Sequence, residues 1–356
     1  MSKRCLVTGG AGFIGSGLVK ELVSQGWNVE IVDDLSSGFV DLLDMPLQKV
    51  TYEVPCRTYF DFKQLCYGDK RFDQIVRKEN KVLFMHASYY NIDVIKCIEM
   101  GRYDVIFHQA AIPRVSYSVE EPIKTLNVNL VGTCVLLKAA ADTGTPVVFA
   151  SSSSVYGGSI TLPTTELDVG QCAPLSPYAM QKLHTEHYAT LFGELYNLRS
   201  IGLRYFNVFG PGQRAGSPYA TAVAAWCHEI KSGGVCRSDG DGEQTRDLCY
   251  IDNVVQANIK AAEKLLGGEK LEKKATFFNI ACEEQTSNNE ILNALSERFG
   301  DRVKIQNAPV RAGDVKHTLA DITSARDILG YKPTVTFWDG FEKTLEYWEL
   351  SEEVQD

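Results

Sequence analysis

Two short stretches near the middle of this 356-residue chain carry residue types spaced for proton transfer. The first is Tyr178-Ala-Met-Gln-Lys182, which follows Pro177 in a segment with few helix breakers. On a helix, positions i and i+4 share a face, so the Tyr178 phenol and the Lys182 ammonium meet. A cation beside a phenol favours phenolate and lowers its pKa, which makes Tyr178 a candidate proton-transfer group. Alone, the pair also describes an ordinary solvated helix face. The second stretch supplies context: Val147-Val148-Phe149-Ala150 runs into Ser151-Ser152-Ser153-Ser154-Val155-Tyr156-Gly157. Four consecutive apolar residues suit a strand buried on both faces. A buried strand that ends in four hydroxyls must direct them at something polar.

The elements that position these groups begin at the N-terminus. Cys5-Leu6-Val7 reads as a short strand, and Gly9-Gly10-Ala11-Gly12-Phe13-Ile14-Gly15 follows it. Phe13 to Leu22 then carries apolar residues at helical spacing, and Val29 to Asp33 reads as a second strand. Strand, glycine turn, helix, strand and acidic residue in that order form a dinucleotide-binding fingerprint. Gly9 allows the tight turn, Gly12 lets the backbone approach a pyrophosphate, and Gly15 allows close helix–strand packing. The helix N-terminus, at Phe13 and Ile14, then faces the anion. Asp33 lies 18 positions after Gly15, where a carboxylate accepts from the adenosine ribose hydroxyls and repels a 2′-phosphate. The next residues, Asp34-Leu35-Ser36-Ser37-Gly38, bring no arginine. NAD is therefore expected rather than NADP, with Asp34, Ser37 and Gly38 beside it.

Lys81 to His86 reads as a third strand and Ile92 to Met100 as a helix, which leaves about 45–80 as an insertion expected to fold, either as a surface elaboration or as a partner contact. Tyr103 to Phe107 is a fourth strand running into His108-Gln109-Ala110-Ala111. Small side chains at a strand's C-terminal end leave room for a ligand, in the crevice where open parallel sheets bind. Thr125 to Ala141 reads as a helix in which Asn129 can tie strand ends together. Strands alternating with helices imply an α/β fold, a doubly wound parallel sheet of the Rossmann kind. The expected division is a dinucleotide-binding domain over 1–200 and a smaller substrate-binding α/β region over 201–356, interleaved with the last strands of the sheet.

Composition narrows the class. Apolar residues make up 44% and charged residues 23%, ordinary for a soluble globular protein. A net charge of −9 argues against non-specific nucleic-acid binding and against an anionic membrane surface. Anions must then be held by local arginines and helix N-termini. Ten cysteines are scattered without Cys-x-x-Cys or Cys/His metal spacing. Cys5, Cys134, Cys227 and Cys249 sit in apolar runs and read as small core residues in a reducing cytoplasm, with no metal. Met1-Ser-Lys-Arg-Cys5 goes straight into a strand-like run, so neither a signal peptide nor an 18-residue apolar span is expected.

The glycine turn, Asp33, the His-Gln-Ala-Ala run, the serine cluster before Val155-Tyr156-Gly157 and Tyr178-x-x-x-Lys182 together resemble the extended short-chain dehydrogenase/reductases. More narrowly, Leu203-Arg-Tyr205-Phe206-Asn207-Val208-Phe209-Gly210-Pro211 and Gly240-Asp-Gly-Glu-Gln-Thr-Arg246-Asp-Leu-Cys-Tyr250-Ile-Asp252 resemble UDP-sugar 4-epimerases, above all those acting on UDP-N-acetylglucosamine and UDP-N-acetylgalactosamine. The resemblance implies that Tyr178 phenolate takes the proton of the sugar 4-hydroxyl while C4 gives a hydride to NAD. Ser152, which takes the catalytic serine's place, bonds the same oxygen, and Ser153 is nearer a substrate contact. Lys182 keeps the phenol acidic and grips the nicotinamide ribose, Tyr205 lines the nicotinamide, and Gln109, Ala110, Ala111 and Asn129 are further cofactor-binding residues. The keto sugar turns over and takes the hydride back on its other face, so NAD stays bound. Such enzymes carry an acidic and an aliphatic residue against adenine, where this chain has Ala87-Ser88-Tyr89. Sugar 4,6-dehydratases of the superfamily carry Asp-Glu where Ser153 and Ser154 stand, and decarboxylases a glutamate at the second position, which speaks against both.

The same resemblance assigns the substrate half. Asn207 contacts the pyrophosphate, Thr221 and Ala222 the uracil, Arg246 and Arg311 the diphosphate, and Asp314 the uridine ribose. Arginine suits that task because it makes bidentate contacts to phosphate. Thr318 flanks the sugar C2 substituent, where a small residue leaves room for an acetamido group. The family's usual assembly is a homodimer through the helices bearing Tyr178 and Asn129. Competing readings are a 4-epimerase of another UDP-sugar such as UDP-glucuronate, and a non-catalytic NAD-binding regulator, which would tend to lose the tyrosine or the lysine. Ser287-Asn-Asn-Glu290 is a capping box opening an amphipathic helix, and Thr336 to Leu350 an aromatic-rich packing helix.

Overall fold

The computed structural model describes residues 2–51, 82–158, 161–215, 221–268, 271–310 and 315–350. The chain divides into two compact units, the first made of Met1–Val155, Ser176–Arg204 and Val255–Phe278, the second of Tyr156–Leu175, Tyr205–Val254 and Asn279–Asp356.

The first unit is built on an eight-stranded sheet. In chain order its strands are β1 (Arg4–Thr8), β2 (Asn28–Asp33), β3 (Leu47–Thr51), β4 (Val82–His86), β5 (Val105–His108), β6 (Val147–Ser152), β7 (Ser200–Tyr205) and β8 (Ala275–Ile280). Across the sheet they run β8-β7-β6-β5-β1-β2-β4-β3, and every pair from β6 to β3 is parallel. β1, β5 and β6 are nearly continuous apolar runs because helices cover both faces of a parallel sheet. The strand order reverses between β1 and β5, so the chain ends that follow these two strands open the crevice where such sheets bind ligands.

Two expectations change here. Leu47–Thr51, placed in the insertion, is the edge strand of the sheet and pairs with Val82–His86 in parallel register, Leu47 opposite Val82. Its alternation of half-buried and exposed residues lacks the apolar run that marks the central strands. The rest of that insertion, 52–80, lies outside the described residues. Second, one helical stretch among the described residues, Pro122–Thr143, is 22 residues long and holds an 18-residue window with a mean hydropathy of 1.2, enough by length and composition to cross a membrane. Half of that window is buried within the protein, and the stretch packs on helices Ile92–Glu99 and Pro177–Tyr196. Its buried apolar side chains, Leu136, Leu137 and Ala140 among them, serve the core. The stretch joins a short helix, a π-turn at Asn127–Val131 and the helix Gly132–Thr143 into one rod. Of the four cysteines assigned to the core, Cys5, Cys227 and Cys249 are buried and Cys134 is only partly so.

The second unit carries short strand pairs and helices. Val208–Phe209 pairs with Cys249–Tyr250, Cys236–Asp239 with Ile305–Ala308, and Thr245–Arg246 with Thr286–Ser287. The capping box is present: Ser287 accepts from the Glu290 N–H at 3.2 Å and the Glu290 carboxylate accepts from the Ser287 N–H at 2.7 Å. Phe209, Tyr250, Phe337 and Phe341 stack into an aromatic core, with Phe209 and Phe337 ring centres 5.2 Å apart. The helix after Thr336 is thus a packing element.

Candidate active site

In the first unit the turn after β1 is shaped by the chain's own close approaches. Gly9 has φ +67°, and a Cβ on it would lie 2.7 Å from the Ala110 backbone; one on Gly15 would lie 2.0 Å from the Gly9 oxygen. Gly12 differs, since a Cβ there would meet only the Gly9 oxygen, at 3.1 Å. Packing accounts for glycine at 9 and 15 and leaves 12 to a group approaching from outside. Gly12 is also the N-cap of the helix Phe13–Ser24, and no side chain caps it. The amides of Phe13, Ile14 and Gly15 therefore suit an anion.

Asp33 ends β2, buried, with Oδ2 accepting from the Ala11 N–H at 2.9 Å and Oδ1 from the Leu35 N–H at 2.8 Å. Burial pushes its pKa up and these backbone bonds pull it down. Each oxygen keeps acceptor capacity for a ribose hydroxyl. Asp34 spends Oδ1 on the Ser36 N–H and hydroxyl, Ser37 is exposed, and buried Gly38 packs beside Ala11. After β5, Gln109 donates to Asn258 Oδ1 at 2.9 Å and the Ala110 N–H donates to Thr8 Oγ1 at 3.2 Å, with Ala111 half-buried next in line. This uncapped helix, a glycine with no packing demand and a buried carboxylate at the C-terminal strand ends fit a dinucleotide.

The helix Pro177–Tyr196 starts for local reasons. Ser176 accepts from the Ala179 N–H at 3.1 Å, Pro177 occupies the first turn, and Asn197 ends the helix at φ +60°. Tyr178, Lys182 and Glu186 form one buried polar row along it. Three successive residues of β6 grip that row: the Lys182 ammonium donates to the Ala150 carbonyl at 2.7 Å, the Ser151 hydroxyl donates to Glu186 at 2.6 Å, and Ser152 bonds the Tyr178 phenol. Ser154 donates to Ser152 Oγ twice, through its N–H at 3.2 Å and its hydroxyl at 2.9 Å. With its lone pairs occupied, Ser152 has its own proton left to give to Tyr178. Ser153 sits half-buried beside them.

The electrostatics correct one expectation. Burial pushes the Tyr178 phenol up to about 12, opposed only by the Ser152 bond. Lys182 does not make it acidic: the ammonium is 5.8 Å from the phenol ring centre and spends a hydrogen bond on Ala150. Burial lowers Lys182 itself to about 8, with Glu186 pulling the other way. Nearby His108 is buried between Thr8 and Thr133 hydroxyls, 2.7 and 2.9 Å away, and burial holds it neutral at about 3. Asn129 lies in the π-turn, accepts from the Ile112 N–H at 2.7 Å and donates to the Ile112 carbonyl and Gln181. It ties the segment after β5 to the helix Pro177–Tyr196, and both of its amide protons are used in doing so. Tyr205, ending β7, is buried.

The second unit carries five of the residues assigned to the substrate. Asn207 donates to the Thr318 hydroxyl at 3.4 Å and the Asp247 carbonyl at 3.5 Å. Thr318 Oγ1 also accepts from the Asp247 N–H at 3.1 Å. Arg246 Nη1 donates to the Thr245 and Lys316 carbonyls at 3.0 and 3.1 Å. Thr221 caps the helix Ala222–Ser232 by position and is tied through Gln213 to the Val208 carbonyl. Ala222 begins that helix. Arg311 and Asp314 lie outside the described residues.

Sequence reasoning passed over several residues that hold these sites. Asp247 is fully buried, accepts from the Cys282 and Ala320 N–H groups at 2.9 and 3.1 Å, and is pushed up to about 7 by burial. It joins three segments around Arg246 and Thr318. Its signal was a carboxylate entering the apolar run Leu248 to Ile251. Glu186, one helical repeat past Lys182, and Arg204, a charge inside the apolar strand β7, carried similar signals.

The chain as a whole is similar to known proteins. A family model described as the NAD dependent epimerase/dehydratase family matches residues 5–281. A UDP-glucose 4-epimerase of Mycolicibacterium smegmatis is 33% identical over 97% of this chain and 98% of its own. A UDP-glucuronate 4-epimerase of Thermodesulfobacterium geofontis is 30% identical over 96% of this chain and 95% of its own. The solved UDP-N-acetylglucosamine 4-epimerase of Methanobrevibacter ruminantium, in complex with UDP-N-acetylmuramic acid, superposes with a TM-score of 0.81 at 30% identity, covering 98% of each chain. A match over most of the length, on a glycine turn and a Ser-Tyr-Lys cluster whose geometry stands independently, places this chain in the NAD dependent epimerase/dehydratase family, with NAD as its cofactor.

Proposed function

We propose that this protein is a UDP-sugar 4-epimerase that interconverts UDP-N-acetylglucosamine and UDP-N-acetylgalactosamine through a transient 4-keto sugar, with UDP-glucose and UDP-galactose as further substrates. The observation that carries the reaction class is the Ser154–Ser152–Tyr178 chain beside buried Lys182. NAD, when bound, supplies the acceptor and then the donor of the C4 hydride, and a positive charge that opposes the effect of burial on the phenol. The chain's own work is proton transfer. Tyr178 takes the proton of the 4-hydroxyl and gives it back, while Ser152, oriented by Ser154, donates to the same oxygens and steadies the charge that builds there. Lys182, held by Ala150, adds a fixed cation and two remaining N–H donors. Burial of this group excludes water from the keto stage.

The second unit supplies the recognition chemistry. Arg246, with Arg311 by resemblance, suits a diphosphate, and Asn207 adds an amide donor. Small Thr318, bonded to Asn207 and Asp247, supports acceptance of a C2 acetamido group. The relative that acts on UDP-glucuronate favours one competing reading, a 4-epimerase of that sugar, so it belongs in the assay. A homodimer through the helix pair is supported by Ile123, Leu191 and Leu195, apolar side chains that are 69%, 43% and 62% exposed on those helices.

The test is proton NMR of the purified protein with UDP-N-acetylglucosamine and no added NAD, and then with NAD, UDP-glucose and UDP-glucuronate. Anomeric signals of the galacto epimer are expected at once, and Tyr178→Phe should keep less than a tenth of the rate. Silence with every UDP-sugar sinks the epimerase reading; turnover of UDP-glucose or UDP-glucuronate alone sinks the Thr318 argument.

A further inference from the structure

The buried polar row on the catalytic helix continues past the residues that the proposed reaction uses. Glu186 lies one turn beyond Lys182 and is 2% exposed. Its carboxylate is clamped by Arg204, Nε to Oε1 at 2.9 Å and Nη2 to Oε2 at 2.7 Å, and by the Ser151 hydroxyl at 2.6 Å. Arg204 is also 2% exposed, with its guanidinium 5.5 Å from the Phe277 ring centre. Taking these charges from water is expensive, and an apolar cluster of like volume would hold the helix to the sheet as well or better. The cluster stands directly behind the proton-transfer groups: Ser151 lies between the residue that binds Lys182 and the residue that binds Tyr178.

We propose that Glu186 is a positioning residue that keeps Lys182 charged and bound to Ala150, with Ser151 holding the carboxylate and Arg204 competing with Lys182 for its charge. This rests on the epimerase reading only in giving the lysine charge a use. The reasoning is a charge count. Lys182, Glu186 and Arg204 together carry one net positive charge in a buried site. Without the carboxylate, two buried cations would share it. The guanidinium cannot give up its proton, so Lys182 would. The other groups facing the ammonium do not substitute. Tyr178, on the same helix, is a neutral phenol. His108, from β5, is uncharged. The Ala150 carbonyl and the Ser151 hydroxyl of β6 are dipoles. On the helix bearing Asn129, the nearby polar groups are Asn129 and Thr133, both neutral.

The count sets opposite signs for two variants. Glu186→Gln removes the negative charge and lowers the Lys182 titration by about one pH unit or more, a tenfold loss of proton affinity. Arg204→Met removes the competing cation and raises it. The measurement is NMR of the NAD-loaded full chain carrying isotope-labelled lysine, with the Lys182 signal identified by its loss in Lys182→Met. The alkaline limb of kcat should move with the titration, down in Glu186→Gln and up in Arg204→Met, while KM changes little and Glu186→Asp restores the wild-type limb. A purely structural role would lower activity at every pH and leave the titration in place; an unmoved Lys182 signal in both variants overturns the proposal. If Glu186→Gln does not fold, the upward shift in Arg204→Met decides alone. A wild-type protein inactive on every UDP-sugar would remove the epimerase reading, and the lysine titration would still decide this one.

Discussion

Gly12 separates ligand binding from folding in the glycine turn, because its demands differ from those of its neighbours. Consider Gly12→Ala beside Gly15→Ala. At residue 12 the backbone has φ −77° and ψ 173°, open to any L residue, and the added methyl meets one atom at 3.1 Å. Alanine is a poorer N-cap than glycine, by about 0.5–1 kcal/mol, but stiffens the unfolded chain by about 0.4–1 kcal/mol. The two nearly cancel, so Gly12→Ala should melt within about 4 °C of wild type without cofactor. At residue 15 the methyl would lie 2.0 Å from the Gly9 oxygen and 2.8 Å from Gly10 Cα, both backbone atoms that cannot swing away. Overpacking of that kind costs about 1–3 kcal/mol or more and shifts the whole turn. For NAD the order changes. A methyl at 12 stands where the pyrophosphate must approach, and a loss of about 2 kcal/mol there is roughly 30-fold in affinity. The assay is NAD per purified chain, with calorimetric melts with and without added NAD. Gly12→Ala should fold normally and purify without NAD. Full NAD occupancy in Gly12→Ala, or a loss of melting temperature equal to that of Gly15→Ala, would refute the reasoning.

Two further outcomes follow from the same geometry. Lys182→Met should abolish turnover yet stabilise the protein at pH 7. A buried lysine held at about 8 rather than 10.5 costs about 3 kcal/mol below pH 8, and the orphaned Ala150 carbonyl returns about 1–2 of that. Because the folded state releases this proton first, wild-type stability contributed by Lys182 rises from pH 8 to 10.5, and Lys182→Met should lose that rise in thermal melts against pH. Thr318→Tyr should reduce kcat/KM for UDP-N-acetylglucosamine at least tenfold more than for UDP-glucose, measured on both substrates, since the lost bond to the Asp247 N–H acts on both alike.

The order of elements around the cofactor could be read from the chain because local rules govern it. The fingerprint from Cys5 to Asp33 is one unbroken strand–turn–helix–strand unit with its own spacing, and the apolar run before Ser151 adjoins the hydroxyls it positions. Ser176, Pro177 and Asn197 mark both ends of the helix bearing Tyr178 by their own backbone preferences. The edge strand Leu47–Thr51 escaped notice because its identity comes from hydrogen bonds to Val82–His86, more than thirty residues on, and its own pattern is weak.

What tertiary structure alone decided is the charge state and grip of the site. Tyr178 and Lys182 do share a helix face, as their spacing requires, but spacing cannot report desolvation. Burial left the phenol high and the lysine low, the reverse of what a solvated pair would do. Ser154 turning the Ser152 proton, Glu186 meeting Arg204, and Asp247 joining Thr318 to Asn207 link residues from 2 to 111 positions apart. The residue types that could do chemistry were determined by sequence, since glycine, serine, tyrosine and lysine carry it in their covalent structure. Which of them are charged, aimed and tied was decided by the fold, because dielectric and hydrogen-bond partners exist only once distant segments have met.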